Sequence, residues 1–107
     1  MNKPDKWVVI KIKTESDITY KVFAIWLGGY LDGDYWQLNS GITKAEIKGE
    51  YINFYGHSGS CYECKVNSYG LNGFGSRILS SFIEKADKAG SSIEIMDENT
   101  DWLNIKY

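Results

Sequence analysis

Apolar and polar residues alternate from Trp7 to Lys13, with Val8, Ile10 and Ile12 on one face and Lys11 and Lys13 on the other. A period of two predicts a half-buried strand. Ile18 to Leu27 predicts a second strand, apolar on both faces in its later half: Tyr20, Val22, Ala24 and Trp26 on one side, Phe23, Ile25 and Leu27 on the other. Such a strand belongs in the middle of a sheet, covered on both sides. After a glycine-rich turn, Tyr35 to Asn39 predicts the returning arm of a wide hairpin. Short strand-like runs follow at Ile42–Lys48, Tyr51–Tyr55 and Ser60–Val66, separated by Lys48-Gly49-Glu50 and Gly56-His57-Ser58-Gly59.

The period changes after Gly75. Ile78, Leu79, Phe82, Ile83 and Ala86 recur at helical spacing and define one apolar stripe. Ser76 is the expected N-cap, and Gly90 is the expected stop after Lys85 and Lys88. Ile93 and Ile95 begin a further strand, and Trp102 to Tyr107 is expected to add a last one. The whole reads as one α+β domain over residues 1–107: an antiparallel β-meander sheet of about five to seven short strands with one amphipathic helix packed on it.

Composition narrows the function classes. At 107 residues, with 43% hydrophobic and 24% charged residues, the chain has the material for a core without cross-links. Neither an apolar run long enough to span a bilayer nor a signal-peptide h-region is present, so a soluble, cytoplasmic protein is expected. Twelve basic residues against 14 acidic, with Arg77 the sole arginine, argue against strong nucleic-acid binding.

Candidate chemistry is sparse. Cys61 and Cys64 form C-x-x-C four residues after His57, but structural zinc takes four ligands and no fourth is supplied. On a strand the two thiols also face opposite ways, so reduced cysteines without metal are expected. His57 is the only imidazole, and no orienting carboxylate accompanies it. No catalytic residue and no cofactor are assigned, and an enzyme is the least favoured class.

Two segments stand out as recognition candidates. The run Gly28–Trp36 sets Tyr30, Tyr35 and Trp36 beside Asp32 and Asp34 on flexible backbone, a composition suited to binding a protein partner. The acidic end, Asp97, Glu98 and Asp101, would extend that surface if it folded nearby. Gly70 to Arg77 approaches the helix through glycines, and Gly73, Gly75, Ser76 and Arg77 form a candidate site for an anion or a small phosphorylated ligand. It lacks the Gly-Lys-Ser/Thr ending of a P-loop.

The run Tyr20–Ala24, followed by Gly28–Asp34 and Trp36–Ile42, resembles small accessory proteins encoded by tailed bacteriophages. The likeness covers about Tyr20 to Ile42 and carries over no functional residue. It implies a small cytoplasmic protein made during infection that binds a host or defence protein, as an inhibitor or modulator, without chemistry of its own. The alternative from the residues alone is a binder of a nucleotide-like ligand at the glycine-rich segment.

Overall fold

A computed structural model describes residues 2–107, apart from the side chains of Tyr30 and Asp32. Seven strands run in chain order: β1 (Lys6–Lys13), β2 (Ile18–Trp26), β3 (Tyr35–Leu38), β4 (Ile42–Lys48), β5 (Tyr51–Gly56), β6 (Cys61–Lys65) and β7 (Ser92–Ile95). A one-turn helix, α1 (Gly29–Asp32), joins β2 to β3, and the long helix α2 (Gly73–Lys88) precedes β7. The strands divide into a four-stranded sheet ordered β3-β2-β1-β7 and a three-stranded sheet ordered β4-β5-β6, with every neighbouring pair antiparallel. Both are meanders except for the return of β7 beside β1.

Three layers result. Val8, Ile10, Phe23 and Ile25 on one face of the four-stranded sheet meet Leu79 of α2. Trp7, Val9, Val22 and Ala24 on the other face meet Ile52, Phe54, Tyr62 and Cys64 of the three-stranded sheet, with Trp102 and Ile42 completing that second core. The central strands β1 and β2 are thus buried on both faces, as predicted for β2. For β1 this corrects the half-buried reading: the lysine-bearing face holds Trp7 and Val9 in its first half, both inside the protein.

The stripe of α2 is its inward face, with Leu79 buried and Ile78, Phe82 and Ile83 packed at its margins. The helix starts one turn earlier than predicted. Asn72, not Ser76, is the N-cap, its Oδ1 accepting the Gly75 N–H at 2.8 Å. Residues 102–107 form no strand, again unlike the prediction. Trp102 instead drops into the core between the sheets, at ring distances of 6.1 Å from Trp7 and 5.7 Å from Phe54. Among the described residues, no helix is long and apolar enough to cross a membrane.

Candidate functional site

The link between β2 and β3 is built by its glycines. Gly29 and Gly33 take φ of +69° and +71°, the left-handed region that glycine enters without strain, and they bracket the single turn of α1. The Gly33 N–H closes that turn on the Gly29 carbonyl at 3.0 Å. The wide hairpin predicted here is present, β2 and β3 pairing antiparallel, and its connection holds a single helical turn, in which Leu31 is 82% exposed. Leu27 is 51% exposed at the end of β2, and Tyr35 and Trp36 are 56% and 37% exposed at the start of β3.

The base under these side chains is firm. The Leu27 N–H donates to Asp5 Oδ2 at 2.7 Å, and Trp26 Nε1 donates to the Lys3 carbonyl at 3.0 Å. Tyr35 lies flat on Trp26, with centroids 5.1 Å apart and planes 8° from parallel. On the opposite face of β3, Trp36 stacks on Phe23 at 5.6 Å and meets Phe82 of α2 edge-on at 5.1 Å. Each exposed ring has one face against the protein and the other available, an arrangement that costs little further side-chain entropy on binding.

Of the predicted contact residues, Tyr35 and Trp36 are exposed, whereas Asp34 is half-buried and spoken for. Its Oδ2 accepts from Asn72 Nδ2 at 3.1 Å, across 38 residues of sequence. The side chains of Tyr30 and Asp32 lie outside the described residues. Asp97, Glu98 and Asp101 follow β7, at the far edge of the four-stranded sheet from β3, and do not extend this surface.

The Asp34–Asn72 bond brings the second predicted site, Gly73–Arg77, beside the first. Its chemistry is less open than the sequence suggests. Asn72 Oδ1 already takes the Gly75 N–H, and the Asp34 carboxylate sets a negative charge next to the helix N-terminus, where an incoming phosphate would meet it. Gly75 is explained by packing, since a Cβ there would lie 2.2 Å from Ile25 Cδ1. Gly73 and Ser76 are exposed, as is Arg77, whose Nη1 lies 3.5 Å from where a Gly73 Cβ would be.

The cysteine and histidine features stay separate. Cys64 is buried in the core with Tyr62, while Cys61 pairs across the sheet with Tyr55 on the outer face. Burial pushes both thiols up, Cys64 far more than Cys61. His57 sits exposed on the β5–β6 turn, held by its N–H to the Gly41 carbonyl at 3.0 Å. It borders an open cleft of about 280 Å³ with Asp17, Thr19, Tyr20, Ile42 and Tyr107. Among the described residues, no three His, Cys, Asp or Glu side chains converge to hold a metal ion.

Sequence reading missed Leu27 and Leu31 as exposed apolar side chains, and Asn72 as the residue that ties the two candidate segments together. A signal for Asn72 as N-cap was present, an asparagine directly before the helix, but nothing local pointed to its bond with Asp34. Comparison with family models, with curated proteins and with solved structures finds no match for this chain.

Proposed function

We propose that this is a non-enzymatic binding protein whose contact surface is the α1 turn with its flanks, Leu27, Leu31, Tyr35 and Trp36. One observation carries the proposal: four large apolar side chains within ten residues of chain are 37–82% exposed, on a base pinned by stacking and hydrogen bonds. Single exposed apolar residues are ordinary, but four at the end of one hairpin, with Tyr35 on one face of β3 and Trp36 on the other, support an interaction site that a partner grips from both sides. Withdrawing the exposed part of each side chain contributes a fraction of the full-burial value of about 1.5–3 kcal/mol, largest for Leu31.

Tyr35 and Trp36 are the anchors in this account, because aromatic residues dominate interface energetics. Leu31 supplies the projecting knob. Asp34 is a brace that fixes the turn to α2 and is not a free steering charge. The likeness to tailed-phage accessory proteins supplies the class of partner, a bacterial host or defence protein that is bound and thereby inhibited or redirected in the cytoplasm. In surface-immobilised kinetics with a captured partner, Tyr35→Ala should raise the dissociation rate about tenfold or more, as loss of a hot-spot side chain does. Unchanged dissociation for both Tyr35→Ala and Leu31→Asp would exclude this surface.

A further inference from the structure

The two sheets have four edge strands, and three of them are guarded. Asn2 lies along β6, its N–H donating to the Cys61 carbonyl and its carbonyl accepting from the Glu63 N–H. The edge of β4 carries Lys44 and Lys48 and a register irregularity between Ile42 and Lys44. β7 carries Glu94. Lysines, bulges, charges and covering segments are the standard means of keeping an edge from pairing with another chain. β3, with the sequence Tyr-Trp-Gln-Leu, has no charge, no proline and no bulge, and only its length of four residues limits pairing.

The direction of its free groups follows from one bond. The Asn39 N–H donates inward to the Val22 carbonyl at 3.1 Å, in register with the Phe23–Leu38 and Ala24–Gln37 pairs. Inward and outward residues alternate along an antiparallel edge, so Gln37 and Tyr35 also bond to β2 while Trp36 and Leu38 turn their N–H and C=O outward. Among the described residues, those outward groups meet no hydrogen-bond partner.

We infer that β3 pairs antiparallel with β3 of a second copy of this chain, about a two-fold axis at Gln37. In that register Trp36 exchanges two backbone bonds with Leu38 of the second copy, and Leu38 exchanges two with its Trp36. The side chains agree with the register. Trp36 and Leu38 share the α2 side of the sheet, giving an aromatic–aliphatic pair on each side of the axis. Gln37, exposed, faces Gln37 of the second copy with its Nε2 free, while its Oε1 accepts from the Tyr62 hydroxyl of its own chain at 3.2 Å. Asp34 falls opposite Ser40, so no like charges oppose each other, whereas β4 against itself would bring lysines together. The two four-stranded sheets become one continuous sheet with the α1 turns on opposite sides of the axis, which leaves Leu27 and Leu31 of the surface proposed above clear of the seam while Trp36 takes part in it. The pairing is independent of that proposal and would hold if the partner site lay elsewhere.

Sedimentation velocity of the full chain over a concentration series tests this, with amide exchange read residue by residue. A monomer–dimer equilibrium is expected, with the Trp36 and Leu38 amides gaining protection as concentration rises. Gln37→Lys sets two like charges on the axis and should weaken the dimer about tenfold or more at low salt, recovering in high salt as the charges are screened. A misfolded variant would show no such recovery. Leu38→Pro removes an outward N–H at an edge position that tolerates proline and should weaken the dimer to a similar degree. A chain that stays monomeric to about 1 mM overturns the inference, and so does a dimer indifferent to Gln37→Lys whose Trp36 and Leu38 amides stay unprotected. A monomeric chain would leave the edge for a strand from a different protein.

Discussion

Gly75→Ala sets two physical effects against each other. In the first turn of an exposed helix the change should help, because alanine is the better helix former by about 0.8–1 kcal/mol. Here Gly75 is buried, and a Cβ would stand 2.2 Å from Ile25 Cδ1 and 3.3 Å from Ile25 Cγ1. Ile25 itself is 0% exposed, enclosed between Phe23, Val8 and Leu79, so its terminal methyl has nowhere to swing freely. Overpacking a closed core by one methyl costs about 1–3 kcal/mol. Net of propensity, Gly75→Ala should destabilise by up to about 2 kcal/mol in urea unfolding, with an unchanged m-value. The partner is identified by a double-mutant cycle. Ile25→Val removes the offending methyl at a cost of about 0.5–1.5 kcal/mol alone, and the double variant should be more stable than the sum of the singles. A Gly75→Ala protein more stable than wild type, or strict additivity with Ile25→Val, would refute the close approach of α2 to β2.

Leu79→Ala, at the centre of the α2 contact, should cost about 2–5 kcal/mol by urea unfolding, and Phe82→Ala, half-buried at the margin, nearer about 2 kcal/mol. Equal costs would mean the helix is rotated from the orientation described. In thiol labelling at pH 8, Cys61 should react slowly and Cys64 only on unfolding, because burial raises both thiols and disfavours the reactive thiolate. Burial also pushes the phenols of Tyr69 and Tyr107 up to about 12, so the folded state holds these protons more tightly than the unfolded state. Stability should therefore be unaffected by these groups below pH 10 and fall as pH rises from 10 towards 12, in step with phenolate absorbance.

Much of the fold was legible because pattern and burial agree. The two-sided apolar half of β2 announced a central strand, and the α2 stripe announced its inward face. The lysines of β1 misled because they mark only the strand's C-terminal half. Its first half is closed over by the second sheet, and only Trp7 and Val9 hint at that. The C-terminal segment read as a strand because Trp102, Ile105 and Tyr107 are apolar, but Trp102 fills a gap between layers and the chain there finds no strand to pair with. Ser76 reads as the N-cap because the glycines at 73 and 75 weaken the apparent helix before it, whereas the close approach to Ile25 is what requires Gly75.

The candidate site was legible in composition but not in arrangement. Aromatic residues at a glycine-rich turn are visible in the sequence, and exposure of Tyr35 beside the turn follows, whereas a strand tryptophan such as Trp36 reads as readily as core. That Asp34 is tied to Asn72 depends on bringing residues 34 and 72 together, which no local pattern encodes. Leu31 looks like core until the turn is seen to be helical and to point it outward.

Amide exchange on the complex with a captured partner, compared with the free chain, tests the central claim most directly. The partner is taken from bacterial lysate by wild type and challenged with Leu31→Asp, whose 82% exposed position predicts an intact fold that circular dichroism checks. The account predicts that protection gained on binding centres on residues 27–36 and that Leu31→Asp loses the same partner. Protection centred elsewhere, with Leu31→Asp binding as wild type does, would contradict it.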